Sequence, residues 1–235
     1  MSSEERDTKK ISSERKGVRK RFSGGKIFKK LFSEGKAFKK LSSEGKAFYN
    51  LSAIDYKDKT IDFSHYKGKM LLITNMASTC GFAKSNLSIL ADIMTLYKEY
   101  GLKILIFPCL QYSKDDTDLL KKMYNLITEY SDDFTVFSDI NLVGKNIHPV
   151  YKHIVRYRKE FVGDFIKWNF AKFIVNEYGE IVKIFEPGDR LEVRDKIFKK
   201  LLKNKIAEKE VEREINKYEG DPYDLQNSSE ELQYY

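Results

Sequence analysis

The chain has 235 residues, 41% of them hydrophobic and 14% aromatic, which is enough for one sizeable core with appendages. Two cysteines exclude a disulfide framework, and no apolar run nears the ~18 residues of a membrane span, so the sequence reads as soluble and cytoplasmic. The formal charge of +8 belongs to one end: residues 1–51 hold 15 Lys or Arg against 6 Asp or Glu, and the remainder holds 28 against 29, which argues against a basic nucleic-acid-binding fold.

The basic end is repetitive. FSGGKIFKKL, FSEGKAFKKL and SSEGKAFYNL follow one another over residues 22–51 at a period of ten. Ten residues at 100° each leave successive copies offset by about 80° on a helix, so no continuous apolar stripe forms. The expected state of residues 1–51 is a disordered, low-complexity tail. Phenylalanines set among lysines suit an anionic membrane surface, peripheral to the cytoplasm. A solvated tail without a partner and stacking on single-stranded nucleic acid are the competing readings. The Ser, Lys and Arg content also leaves organellar targeting open, although the six acidic residues count against it.

From residue 52 the pattern changes. MLLITNMA (70–77) and LKILIF (102–107) are apolar runs without alternation, as expected for strands covered on both faces. Between them, Leu87, Leu90, Ala91, Met94 and Tyr97 recur at helical spacing over residues 85–100, and Gly101 provides the stop. This is a βαβ unit, so its strands are expected to be parallel neighbours. Residues 117–130 predict a second helix, and residues 149–157 a third that starts at its proline. FAKFIV and EIVKIF flank NEYG as an antiparallel hairpin over residues 170–185. A long helix is predicted for residues 191–218, increasingly charged toward its end, with disorder from 221 onward. The expected fold is α/β: a thioredoxin-like mixed sheet with flanking helices over residues 52–202, a tail before it and a charged helical extension (203–235) after it.

Ligands of parallel sheets gather beyond the carboxyl ends of the strands. Cys80 follows the first strand and Gln111 the second, while Trp168 and Asn169 precede the hairpin. If the hairpin's first strand is antiparallel to the others, all four meet at one rim. Cys80 also stands just ahead of a helix, where backbone N–H groups and the macrodipole favour the thiolate. The alternative is an inert, buried thiol. Trp168 as a packing residue, and Gln111 and Asn169 as partners of loop backbone, are the corresponding bland roles. CGFA lacks the second cysteine of a dithiol motif. The three histidines show no ligand spacing with either cysteine, so no metal site is expected.

TNMASTCGF, ILIFPCLQY and WNFAKFIV, with NIHPVYKHI, resemble the signature stretches of the glutathione peroxidases, in the branch that uses cysteine rather than selenocysteine. The resemblance spans about residues 51–202. It implies a peroxidase that reduces lipid or organic hydroperoxides and hydrogen peroxide through a sulfenic acid at Cys80, assisted by Gln111, Trp168 and Asn169. It implies no bound cofactor, a thiol such as glutathione or a thioredoxin-like protein as reductant, and, from the short stretch before Trp168, a monomer open to bulky phospholipid substrates. The chain departs from the family where Leu110 and SKDD (113–116) replace the usual Asn and Gly-Gly-Gln-Glu. It also lacks a resolving cysteine near Ile127 or Thr128, which leaves Cys109 or an external thiol for that step. Two other readings stay open: a redox-sensing or binding module with weak turnover, and a membrane-associated structural protein whose repeats are the function.

Overall fold

The computed structural model describes residues 41–77, 79, 81–111, 117–157 and 170–219, with the side chains of 117 and 214–219 outside that set. The expected tail through residue 40 and the segment after 219 lie outside it.

A five-stranded sheet organises these residues. β3 (Met70–Met76), β4 (Leu102–Pro108) and β5 (Thr135–Val136) run parallel, β6 (Lys172–Val175) is antiparallel to β3, and β7 (Ile181–Phe185) closes a hairpin with β6. The order across the sheet is β5-β4-β3-β6-β7, so β3 and β4 are central. Every residue of β3 is buried, which accounts for its unbroken apolar run. β1 (Ser52–Ile54) and β2 (Thr60–Asp62) form a separate two-stranded sheet before it.

Two hydrophobic layers sandwich the sheet. On one face, α2 (Gly81–Tyr97), α3 (Thr117–Tyr130) and α5 (Lys196–Glu219) bury Leu87, Leu90, Met94, Met123, Ile127 and Phe198 against Leu72, Ile104 and Ile174. Tyr97 stacks on Phe198 at 5.0 Å and so fastens the C-terminal helix. On the other face, α1 (Ser43–Phe48) and α4 (Pro149–Tyr157) bury Phe48, Val150, Tyr151 and Ile154 against Ile73, Leu105 and Phe173. The expected α/β sandwich, the parallel βαβ unit and the antiparallel hairpin are all present. α3 and α4 occupy the predicted residues.

Three boundaries differ. α2 begins at Gly81 rather than 85: the turn Gly81-Phe82-Ala83-Lys84 is already helical, and it buries Ala83. The last helix begins at Lys196 rather than 191: Leu191 is buried but belongs to the preceding turns. The largest correction is at the N-terminal end, where the third repeat copy folds onto the domain instead of continuing a tail to residue 51. Ser42 caps α1 by accepting a hydrogen bond from the Gly45 N–H at 3.1 Å. Glu44 accepts one from the Ile181 N–H at 2.9 Å, and Phe48 is wholly buried among Phe63, Tyr49 and His153. A Cβ on Gly45 would sit 2.0 Å from the Tyr178 carbonyl oxygen, so only glycine lets α1 lie this close to the β6–β7 turn. In that turn Gly179 has a φ of 79°, a left-handed conformation that closes NEYG.

Candidate active site

The carboxyl ends of β3 and β4 define a rim. β3 ends at Met76, in register with Pro108 of β4, and the Cys109 N–H donates to the Met76 carbonyl at 2.8 Å. From the antiparallel side, the Phe170 N–H donates to the Asn75 carbonyl at 2.9 Å, which brings the start of the β6 segment to the same edge. The Phe170 ring meets Phe82, in the first turn of α2, edge-on at 6.0 Å. Three chain segments distant in sequence are thus joined within one hydrogen-bonded and aromatic cluster.

Of the four predicted site residues only Gln111 belongs to the described set. Cys80, Trp168 and Asn169 lie outside it; in sequence Cys80 adjoins Gly81 of α2, Asn169 adjoins Phe170, and Trp168 is one residue further. The 17-residue α2 points its N-terminus at the rim, and the partial positive charge there favours an anion at the preceding position.

Gln111 is exposed and engaged with backbone. Its Nε2 donates to the Val143 carbonyl at 2.8 Å, while its Oε1 accepts from the N–H groups of Leu142 at 2.9 Å and Val143 at 3.2 Å. The amide therefore clamps the 142–143 loop to the end of β4 and keeps one N–H for other use. Its neighbour is held as well: the Leu110 N–H donates to Asp139 Oδ1 at 2.6 Å. Burial raises the Asp139 carboxyl from its ordinary value, and hydrogen bonds from the backbone at Leu110 and Ile140 oppose the rise. No sequence pattern pointed to Asp139, because an isolated aspartate in a loop carries no periodic signal.

Cys109 is fully buried, and burial pushes its thiol up. That disfavours the thiolate and makes it a poor nucleophile. Lys172 was also missed. It is 2% exposed in β6, and the signal was available: a lysine inside the apolar run FAKFIV, which shows no alternation that would send it to solvent. A groove of about 430 Å³ flanked by Lys69, Gly101 and Lys205 lies at the opposite end of the strands, about 20 Å from the rim at ~3.3 Å per residue, and is separate from this chemistry.

A family model for glutathione peroxidase matches residues 48–155. The probable phospholipid hydroperoxide glutathione peroxidase of Nicotiana sylvestris is 38% identical over 149 residues, covering 63% of this chain and 88% of the relative. The chain belongs to the glutathione peroxidase family. A similarly named protein of Encephalitozoon cuniculi is 38% identical over 132 residues, covering 55% of this chain and 75% of its own. Among solved structures, that of T. cruzi GPX1 superposes with a TM-score of 0.52 at 30% identity, covering 67% of this chain and 95% of the other. As a glutathione peroxidase the chain is a thiol-dependent oxidoreductase that reduces hydroperoxides, with a thiol co-substrate in place of a prosthetic group. Among the described residues no helix is long and apolar enough to cross a membrane.

Proposed function

We propose that Cys80 is the peroxidatic group of this glutathione peroxidase and that Trp168 and Asn169 supply donors to it, with Gln111 contributing its remaining N–H. The observation that carries this reading is the junction of Asn75, Met76, Phe82 and Phe170 at one rim, since these residues flank Cys80 and Asn169 in sequence. The Cys80 thiolate attacks one oxygen of the hydroperoxide. The O–O bond breaks, and the other oxygen leaves as an alkoxide that takes a proton to become the alcohol. The resulting sulfenic acid reacts with one thiol to give a mixed disulfide and water, and a second thiol then releases Cys80 and the oxidised reductant.

Buried Cys109 supports a cycle in which an external thiol, glutathione or a thioredoxin-like protein, performs both reducing steps. The relatives' names and the short segment before Trp168 support a monomer acting on phospholipid hydroperoxides as well as smaller ones. The basic, phenylalanine-bearing residues 1–40 hold the enzyme at anionic lipid surfaces where such substrates form. A vesicle sedimentation assay tests that part: deletion of residues 1–40 abolishes binding to anionic vesicles, and unchanged binding refutes it.

The catalytic reading is tested by peroxide turnover of the wild type, Cys80→Ser and Cys109→Ser, each with glutathione and with thioredoxin. Activity disappears in Cys80→Ser and persists in Cys109→Ser. The engagement of the Gln111 amide with the 142–143 loop favours one second reading, a redox sensor with slow turnover. That reading predicts one stoichiometric burst of peroxide consumption that no thiol renews.

A further inference from the structure

An ammonium group is costly to bury, and Lys172 is 2% exposed in the middle of the sheet. Its register neighbours are Thr74 on β3 and Phe185 on β7, and a methionine would fill the same volume without desolvating a charge. Burial lowers the Lys172 pKa to about 8, against a partly compensating attraction from Asp189. Packing alone does not account for a lysine here.

What the ammonium does hold is specific. Nζ donates to the Phe170 carbonyl at 2.9 Å and lies 6.0 Å from the centre of that ring; it has no other hydrogen bond among the described residues. Phe170 has a φ of 64°, and only one other non-glycine described residue, Asp58, has a positive φ. A bulky side chain takes up this left-handed conformation only when its surroundings impose it. Here the surroundings do so from three sides: the Asn75 carbonyl takes the N–H, Phe82 takes the ring edge, and Lys172 takes the carbonyl. Residue 169 is attached directly to this fixed point.

We propose that Lys172 is a positioning residue for the peroxidatic step, acting through the Phe170 carbonyl to fix the backbone that directly follows the proposed donors Trp168 and Asn169 in the chain. The proposal rests on the site reading given above. Without the ammonium, the carbonyl loses its partner and Phe170 is free to relax toward ordinary backbone angles. Asn169 is bonded directly to that point, and a displacement on the order of 1 Å at a catalytic donor costs about a hundredfold in rate.

The test uses the full-length chain. Lys172→Met is compared with the wild type for melting temperature, for the single-turnover rate at which a hydroperoxide oxidises the reduced protein, and for tryptophan emission, which reports Trp168 alone because it is the only tryptophan. The expected result is a rate lowered by roughly ten- to a hundredfold, a shifted emission maximum, and melting at or near the wild-type temperature. In an Asn169→Ala background the same substitution lowers the rate by less than the single change does, because both act through one turn. A wild-type rate and emission in Lys172→Met, with Cys80→Ser inactive, overturn the proposal and leave the site reading intact. Activity in Cys80→Ser overturns the site reading itself. Should Lys172→Met not fold, Lys172→Arg decides: a cationic donor on the same carbonyl is expected to keep the rate within a few-fold, and a folded arginine variant with a large loss overturns the proposal.

Discussion

Replacing Phe48 with alanine tests whether the domain begins inside the repeats. Phe48 is fully buried, with ring centroids 5.3 Å from Phe63, 5.6 Å from Tyr49 and 5.6 Å from His153. Phe-to-Ala changes in such surroundings cost about 3–5 kcal/mol through lost transfer energy and an unfilled cavity. The six-residue helix α1 lies at the edge of its layer and can detach as a unit, which caps the loss at its own docking energy. The lower end, about 3 kcal/mol, is therefore expected, and at this chain length it lowers the melting temperature by roughly 6–12 °C. Urea unfolding followed by circular dichroism, alongside thermal melting, gives both quantities. The sequence provides its own control: SEGKAF occurs identically at residues 33–38 and 43–48, so Phe38→Ala makes the same chemical change one repeat earlier. That variant is expected to stay within about 0.5 kcal/mol of the wild type. Equal behaviour of the two variants, both near wild type, would refute the argument and return residues 42–51 to the tail.

Gln111→Ala removes three hydrogen bonds to the 142–143 loop and is expected to cost about 1–2 kcal/mol of stability together with a slower peroxide reaction; a slower reaction at full stability would mean that the amide serves substrate rather than loop. Cys109, with its thiol pushed up by burial, is expected to resist alkylation in the native chain while Cys80 is modified, as read by mass spectrometry of the two peptides. Labelling of Cys109 at a rate matching Cys80 would contradict that. Burial lowers the pKa of His148, so the unfolded chain takes up this proton first, near pH 6.5. Stability is then lost as pH falls below about 6.5 toward the folded value, and His148→Phe should flatten urea midpoints over that range; an unchanged pH slope would assign the loss to other groups.

The architecture was legible where the pattern was locally redundant. β3 and β4 are continuous apolar runs of strand length, α2 repeats leucine and methionine at helical spacing before a glycine, and α4 opens on Pro149. The rim was legible from topology: β3 and β4, which precede Cys80 and Gln111 in the chain, are parallel neighbours, and antiparallel β6 starts at the same end. What escaped was fixed by contacts between distant segments. The third repeat copy differs from the second only at Ser42, Tyr49 and Asn50, and its docking depends on what receives it: the Ile181 N–H for Glu44, the Glu177 carbonyl for the Tyr49 hydroxyl and the close approach of Tyr178 to Gly45. The clamp from Gln111 to Leu142 and Val143 likewise joins residues about thirty apart with no periodicity between them. β1 and β2 were missed because three-residue strands are too short to show alternation.

β3 lies at the centre of the sheet, yet one of its two neighbours, β6, comes about a hundred residues later in the chain. At translation rates of roughly 5–20 residues per second, a nascent chain carries this apolar strand with one unpaired flank for several seconds on the ribosome. Premature termination before residue 172 would leave that flank open for good, so truncated translation products of this protein should be sticky and depend on chaperones.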